Sequence, residues 1–180
     1  MNPRVELTFS GGKLRALTAE DVHFGYVDGL NDPEVNRYLD GVRRVLQNTE
    51  SVIEFVVDNL NSHSGVLWGI WETDSEKHCG TVRVHSIDPY HKTALIGVCV
   101  FDQRSWGKRI GSGAIAAVTD WALCNFGLRW VEAGAYEQNV SSQKAFLAAG
   151  YEWVFDIPGK YLFEGKPANV KVFAARNAKN

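Results

Sequence analysis

The chain has 180 residues, of which 45% are hydrophobic and 12% aromatic, so it can bury one sizeable core. Its formal net charge of −2 excludes a general nucleic-acid or membrane-surface binder, because such proteins carry a basic excess. Cys79, Cys99 and Cys124 are odd in number and lack the spacing of zinc ligands, which argues against disulfides or a metal site. No apolar run has the length of a signal sequence or a membrane span. We therefore expect a single cytoplasmic domain over residues 1–180.

The first third of the chain predicts a pair of strands followed by helices. Two short apolar runs are separated by Gly11-Gly12, which predicts a turn. The helical segments open with capping residues, and Pro33 stands at the first helical position after Asp32. The predicted strands cover residues 5–10 and 14–17, and the predicted helices begin at Thr18, Asp32 and Thr49, the second ending near Gly41.

From residue 66 onward, β-branched and aromatic runs predict strands. The first three runs are separated by short polar turns, which predicts an antiparallel meander. A glycine-rich loop then opens a long helix, and a strand, a helix and two closing strands follow. The predicted strands cover 66–71, 79–87, 94–101, 128–136, 151–157 and 170–174, the predicted helices end near Phe126 and Ala149, and turns are expected at Pro158-Gly159 and 165–167.

The glycine-rich loop Trp106-Gly107-Lys108-Arg109-Ile110-Gly111 joins an apolar strand to this helix. Glycines let a ligand approach the backbone closely, and the free N–H groups of a helix N-terminus attract anions. The order of residues argues against a Walker loop, because Lys108 precedes the second glycine, and the glycine spacing argues against a dinucleotide fold. The loop therefore predicts a pyrophosphate site of another class, with a turn that binds nothing as the alternative.

The loop resembles that of the GNAT superfamily of acetyl-CoA-dependent N-acetyltransferases, whose pattern is Gln/Arg-x-x-Gly-x-Gly/Ala. The resemblance extends over nearly the whole chain: residues 31–39, Asn139-x-x-Ser142 and 149–151 are similar to elements of the branch that includes the ribosomal-protein N-terminal (RimJ/RimL-like) acetyltransferases. Two positions depart from the pattern. Trp106 replaces a polar residue, and Arg109 replaces a glycine, where its guanidinium could contact a phosphate directly.

The resemblance implies an α/β (α+β) GNAT fold. Its mixed, mostly antiparallel sheet would have about six to seven strands, with the fourth and fifth splayed and helices on both faces. The fourth strand would be 94–101, in which Gly97 fits a bulge, and a backbone N–H near Cys99 or Val100 would polarise a thioester. The implied co-substrate is acetyl-CoA, without a metal. The implied cofactor-binding residues are Cys99, Val100, Phe101, Arg104, Trp106, Gly107, Lys108, Arg109, Ile110, Gly111, Ser112, Asn139 and Ser142.

The expected chemistry is direct attack by a neutral primary amine, with loss of a proton to a base and protonation of the leaving thiolate. Cys99 is interpreted as a core residue and not as a nucleophile, because free cysteines are commonly buried and the sequence places no histidine beside it. The candidate catalytic residues are Ser142 as the donor to the thiolate, which also lies in the turn that Asn139 caps, and Glu132 or His85 as the base, with Asp88 and His91 as further candidates.

The predicted substrate-binding residues are Arg37, Tyr38, Arg43 and Tyr136. The arginines could grip an acidic acceptor such as a nucleotide-sugar diphosphate. Two acceptor classes stay open, the N-terminal amine of a protein and an amino group on a sugar nucleotide or other small molecule. A non-catalytic acyl-CoA-binding module is the alternative function, and an interaction domain without a cofactor is a third. A homodimer is also expected, since many relatives of this family pair.

Overall fold

The structure, a computed structural model, describes residues 5–177. Within this range the strands are β1 Leu7–Phe9, β2 Gly12–Ala16, β3 Val66–Glu72, β4 His78–Asp88, β5 Thr93–Val100, β6 Trp130–Tyr136, β7 Glu152–Phe163 and β8 Lys166–Arg176. They form an 8-stranded sheet in the order β1-β2-β3-β4-β5-β6-β8-β7. The sheet has more strands than the six or seven expected, because the hairpin of β1 and β2 extends the meander at one edge.

The helices lie on both faces of the sheet, as predicted. They are α1 Phe24–Asn31, α2 Pro33–Asn36, α3 Asp40–Arg43, α4 Thr49–Leu60, α5 Ile110–Cys124 and α6 Val140–Ala148. On one face, which we call the α5 face, Ile115 and Val118 of α5 and Phe146 of α6 pack against the strands. On the other, the α1 face, Tyr26 of α1 and Val56 of α4 do so. Two cores therefore sandwich the sheet.

Two of the central strands diverge, which opens a slot in the sheet. β5 and β6 are parallel and pair only from Thr93–Trp130 to Leu95–Glu132, although β5 continues to Val100 and β6 to Tyr136. The predicted splay is confirmed. The bulge expected at Gly97 is wrong, since Gly97 pairs regularly with Arg83, and the irregularity between β4 and β5 lies between His85 and Asp88. The divergence accompanies continuous pairing of β6 with β8 along its length.

Three other predicted boundaries differ from the structure. Thr18 donates its N–H to the Asp21 carboxylate at 2.8 Å, but this cap opens only a 3₁₀ turn, and α1 starts after His23. Asp32 caps α2 as predicted, yet α2 ends at Asn36 because Tyr38 turns away and donates its hydroxyl to the Gln138 carbonyl. The turn expected at Pro158-Gly159 is a bulge inside β7, an edge strand on which a proline is tolerated.

His78, the first residue of β4, is buried among aromatic rings. It stacks on Trp71 with 4.7 Å between ring centroids, and Tyr26 and Phe101 meet it edge-on. Its Nε2 lies 3.0 Å from the Gly80 carbonyl oxygen, which can only accept, so Nε2 carries the proton. Its Nδ1 has no hydrogen-bond partner within residues 5–177. Burial lowers the pKa of His78 to about 4.

We expect the protein to lose about 2 kcal/mol of its free energy of unfolding as the pH falls from about 7 to about 5. An unfolded histidine has a pKa of about 6.5, so the unfolded state takes up the proton first and is favoured on acidification. The stability that neutral His78 contributes is thus present above about pH 6.5 and is lost toward the folded pKa. Urea titrations across this range measure it. His78→Phe should flatten the dependence, and an unchanged slope would contradict the assignment.

Candidate active site

The open edge of β5 forms one wall of the slot. The Phe101 N–H donates to the Cys79 carbonyl at 3.0 Å, and backbone groups alternate in direction along a strand. Val98 and Val100 therefore direct their N–H and C=O groups away from β4 and into the slot, whereas those of Cys99 point toward β4. The Val100 carbonyl accepts from the Trp106 indole at 2.8 Å. The Val98 groups and the Val100 N–H are left to pair with an extended ligand.

The loop from β5 to α5 lies at the open end of this wall. Gly107 has φ +75°, and no atom of the described residues lies within 4 Å of the position that a Cβ would take. Arg109 caps α5 in a left-handed conformation, with φ 62° and ψ 14°. The first helical N–H groups, including those of Ile110 and Gly111, have no acceptor within the helix. The loop thus presents an open surface of backbone donors that suits an anion.

The basic side chains of the loop differ in their partners. Lys108 donates to Glu72 at 3.2 Å, which compensates its charge. Arg104 donates to Asp102 at 3.0 Å but shares that carboxylate with Lys77, so its charge is compensated only in part. The Arg109 side chain has neither a hydrogen bond nor an ion pair with residues 5–177. Arg109 therefore adds an uncompensated positive charge beside the donors of α5.

Replacing Arg109 by glycine should stabilise the protein while weakening its binding of acetyl-CoA. A non-glycine residue in the left-handed region costs about 1 kcal/mol, which glycine recovers in part. Loss of a charge-assisted contact should raise the Kd for acetyl-CoA about tenfold. Urea titration and calorimetry measure the two effects. Lys108→Ala, which removes a charge already held by Glu72, should raise the Kd less, and equal losses would contradict the role of Arg109.

The remaining residues predicted around the loop and α6 are packed closely. Phe101 and Ile110 are buried, and the Ser112 hydroxyl donates to the Arg109 carbonyl. Asn139 caps α6, its Oδ1 accepting from the Ser142 N–H at 3.1 Å. The Ser142 hydroxyl itself has no hydrogen-bond partner in the described part of the chain, and it lies in the first turn after β6. The hydroxyl proton is therefore not engaged by any residue in the range 5–177.

The α1 face of the slot carries the candidate bases. Side chains alternate between faces along a strand. Because Val84 and Val131 belong to the α5-face core, His85 and Glu132 lie on the α1 face. Each pairs with Leu95 from opposite sides, which places both at the narrow end of the slot. Burial lowers the pKa of His85, and the positive charge of Arg83 lowers it further. The imidazole is therefore neutral and able to accept a proton.

Two other candidates lie farther from the opening. Asp88 accepts the backbone N–H groups of Tyr90 and His91 and so shapes the β4–β5 turn, beyond the closed end of the slot. Cys99 packs against the α1-face core, and burial raises the pKa of its thiol to about 12. A thiol with this pKa is protonated at neutral pH, which favours its interpretation as a core residue.

The four predicted substrate-binding residues come together at the open end of β6. The Tyr38 and Tyr136 rings lie 5.8 Å apart, and Tyr136 donates its hydroxyl to Asp40 at 2.6 Å. Burial and this hydrogen bond raise the pKa of Tyr136 to about 12. Arg43 donates to the Arg37 carbonyl at 2.9 Å. The contacts thus bring α2, α3 and β6 together beside the slot.

A sequence comparison decides the family. The sequence model of the family described as "Acetyltransferase (GNAT) domain" matches residues 13–152, which includes the β5–α5 loop and both edges of the slot. The chain belongs to the GNAT acetyltransferase family. The predicted family is confirmed, and the protein is an acetyl-CoA-dependent acetyltransferase. No curated protein sequence matches the chain.

Solved structures share this GNAT fold. Spermidine N-acetyltransferase from Vibrio cholerae, solved with CoA and spermine, matches with a TM-score of 0.82 at 15% identity, over 94% of this chain and 98% of that one. RimL, a ribosomal L7/L12 alpha-N-protein acetyltransferase in complex with CoA, matches with a TM-score of 0.84 at 16% sequence identity, and the match covers 98% of this chain and 100% of that one. A GNAT acetyltransferase from Bacillus anthracis matches with a TM-score of 0.82 at 16% sequence identity, covering 96% of this chain and 98% of that one. These likenesses establish the fold.

The GNAT co-substrate, acetyl-CoA, fits the residues present. The open groups of Val98 and Val100 match the amides of a pantetheine arm, and the α5 N-terminus with Arg109 matches a diphosphate. No cluster of three or more His, Cys, Asp or Glu side chains within residues 5–177 is arranged to hold a metal ion. None of the helices in the same range is long and apolar enough to cross a membrane.

Several residues of the site have no signal in the sequence. Asp40 accepts from Tyr136, and the Tyr161 and Phe163 rings of β7 lie 5.6 and 5.8 Å from the Tyr136 ring. Glu72, which holds Lys108, is another such residue. Asp40 and Phe163 are more than a hundred positions apart in the sequence, and no motif connects them. Only the β7–β8 hairpin, folded back beside β6, brings them together.

Proposed function

We propose that this GNAT enzyme transfers acetyl from acetyl-CoA to a primary amine of a small molecule or of a protein N-terminus. The observation that carries the proposal is the slot: β5 and β6 separate after Leu95–Glu132, leaving an unpaired strand edge beside the anion-binding end of α5. Unpaired backbone N–H and C=O groups cost free energy, so an open strand edge in the middle of a sheet indicates that a ligand pairs with it. An extended, amide-bearing ligand with a diphosphate satisfies both features at once.

Acetyl-CoA, when bound, supplies an activated thioester. The backbone of Val100, which lies next to the α5 N-terminus, would hold the pantetheine arm. The Val98 N–H, deeper in the slot and nearer the candidate bases, would polarise the carbonyl under attack. Arg109 and the first N–H groups of α5 would hold the diphosphate. Asn139, next to the end of β6, would contact the arm from the other side of the slot.

The proton steps fall to residues on the α1 face and on α6. Glu132 or His85 takes the proton that the amine loses as its nitrogen bonds to the acetyl carbon, directly or through water. The Ser142 hydroxyl donates a proton to the leaving sulfur as the carbon–sulfur bond breaks. The base then returns its proton to Ser142 through water, so that the enzyme is restored and the products are an amide and a free thiol. Burial and Arg83 lower the pKa of His85, so its imidazole is unprotonated and available as a base, although a weaker one than a free imidazole.

The acceptor classes are supported by the names of structurally similar proteins. One is a spermidine N-acetyltransferase and another is a ribosomal alpha-N-protein acetyltransferase, so this fold accommodates both a small amine and a protein terminus. We favour the small amine, because the rings of Tyr38, Tyr161 and Phe163 cluster around Tyr136 beside the end of the slot and narrow the approach. We further propose that the protein acts as a single cytoplasmic domain, and that it forms a homodimer.

The test combines binding and turnover. Calorimetry with acetyl-CoA should show one binding event, and release of free thiol should follow on addition of a panel of primary amines and N-terminal peptides. Mass spectrometry of the product should show one added acetyl group. A protein that binds acetyl-CoA but acetylates no member of the panel would instead be the non-catalytic acyl-CoA-binding module. Absence of acetyl-CoA binding would exclude both and leave an interaction domain.

A further inference from the structure

Arg83 of β4 carries a positive charge that no carboxylate of residues 5–177 compensates. The side chain is half-buried, and it makes neither a hydrogen bond nor an ion pair within that range. Its Nε is fully buried without a partner. Burial lowers the pKa of Arg83, and no neighbouring negative charge opposes the effect. Because charged groups in proteins are normally paired when they are withdrawn from water, an anion bound beside Arg83 would be stabilised.

Arg83 lies beside the open part of the slot. It pairs with Gly97 of β5, and its side chain is on the α1 face together with that of His85, since side chains alternate along a strand. No described atom lies within 4 Å of the position that a Cβ of Gly97 would take. Neighbouring strands are about 4.8 Å apart, so only the width of β5 separates Arg83 from the slot. A ligand that extends from the slot across Gly97 would therefore come beside Arg83.

The Arg83 guanidinium is held in place without using its donors. It lies over the Phe55 ring of α4, with 5.4 Å between the guanidinium carbon and the ring centroid. A contact of this kind orients the cation but leaves its N–H groups free. Arg37 and Arg43, by contrast, donate to Glu164 and to the Arg37 and Leu162 carbonyl oxygens. Arg83 is therefore the better candidate to bind an anionic group of the acceptor.

On the basis of the proposed function, we propose that Arg83 binds a carboxylate of the acceptor, which is then a small primary amine that also bears a carboxylate. The two amino groups of a guanidinium match the two oxygens of a carboxylate. A carboxylate carries one negative charge and balances Arg83, whereas a phosphate dianion would exceed the single charge available. The amine would lie in the slot and the carboxylate across Gly97. Arg83 is a specificity determinant and takes no part in the proton steps.

Acceptors that differ only in one end group test this inference: glycine, β-alanine and γ-aminobutyrate, each compared with its primary amide. For at least one of these pairs, the wild-type kcat/KM should be at least about tenfold higher for the acid than for the amide, because the amide loses a charge-assisted contact. In Arg83→Gln this ratio of acid to amide should fall at least about tenfold. Comparing the ratio between the two enzymes cancels the difference in amine basicity between an acid and its amide.

Two further variants control for packing and for charge. Arg83→Met keeps a long apolar stem against Phe55, and it should lower the ratio as Arg83→Gln does. Arg129→Gln removes an exposed arginine that donates to the His91 carbonyl at 2.9 Å, in the turn beyond the closed end of the slot. It should leave the ratio of acid to amide unchanged. Calorimetry with N-acetyl-γ-aminobutyrate and its amide, in the presence of CoA, measures the same contact without turnover.

The outcomes are distinct. A wild-type enzyme that acetylates amines but prefers no acid over its amide, or a ratio that Arg83→Gln and Arg83→Met both leave unchanged, overturns the inference and leaves the proposed function standing. Acetyl-CoA binding without turnover of any amine overturns the proposed function and the inference with it. A role of Arg83 confined to packing would change kcat/KM for acids and amides by the same factor, which also contradicts the inference.

Discussion

Replacing Gly97 by valine should lower kcat/KM for acetyl transfer by at least about a hundredfold while leaving the protein at least as stable as the wild type. Gly97 lies in β5 on the α1 face, and no described atom lies within 4 Å of where its Cβ would be. A valine there meets no steric conflict, and it should raise the free energy of unfolding by up to about 1 kcal/mol, because glycine weakens strands. The same side chain would fill the uncovered face of the slot.

The loss of activity follows from where that side chain would lie. Leu95 on the same face is 38% exposed, and Gly134 of β6 is exposed, so the sheet is bare where an acceptor would approach the thioester. A displacement of the reacting groups by about 1 Å costs on the order of a hundredfold in rate, and kcat/KM should fall by at least that factor. Thiol release with the best acceptor of the panel measures it, and urea titration measures the stability.

Thr93→Val is the matched control, because Thr93 lies on the same strand but within the paired part of β5. It should change neither the activity nor the affinity for acetyl-CoA by more than about threefold. If Gly97→Val kept its activity, the acceptor would not approach over this face of β5. If it lost its stability instead, the space beside Gly97 would be closed in solution.

Much of the fold could be predicted because local signals and tertiary packing agree. The apolar runs of β3, β4 and β5 are parted by turn residues, and Asp32-Pro33 and Asn139 mark helix starts by cap chemistry that needs no distant partner. Gly97 misled the prediction for a physical reason. A glycine in a strand accompanies either a bulge or an open approach, and the sequence does not distinguish them. The structure shows the open approach.

The part of the candidate site formed by one continuous segment could be predicted, and the part formed by contacts between distant segments could not. The β5–α5 loop is one continuous segment, so its glycines and basic residues could be placed together from the sequence. The acceptor end depends on long-range contacts: Tyr38 reaches Gln138, and Tyr136 reaches Asp40. The arginines expected to grip an anion instead donate to the protein, which depends on β7 and could not be read from residues 37–43.

Replacing Gly111 by leucine should raise the Kd for acetyl-CoA about a hundredfold, equivalent to about 2.7 kcal/mol, without unfolding the protein. Gly111 lies in the first turn of α5, and a Cβ there would sit 3.5 Å from Val100 Cγ2, an ordinary contact. Leucine is a better helix former than glycine by about 1 kcal/mol, so the helix itself should gain stability. The longer side chain would cover the N–H groups that face the diphosphate.

Gly113→Ala provides the opposite case two residues along the same helix. Its Cβ would lie 2.4 Å from Cδ2 of Phe9, so the packing of α5 against β1 must shift, at a cost of about 1–3 kcal/mol. Because Gly113 N–H already donates to the Arg109 carbonyl, this variant should bind acetyl-CoA with nearly unchanged affinity while it remains folded. Calorimetry and thermal melts on both variants separate the two effects. Wild-type affinity in Gly111→Leu would mean that the diphosphate lies elsewhere, because a leucine at this position lies beside the first N–H groups of α5.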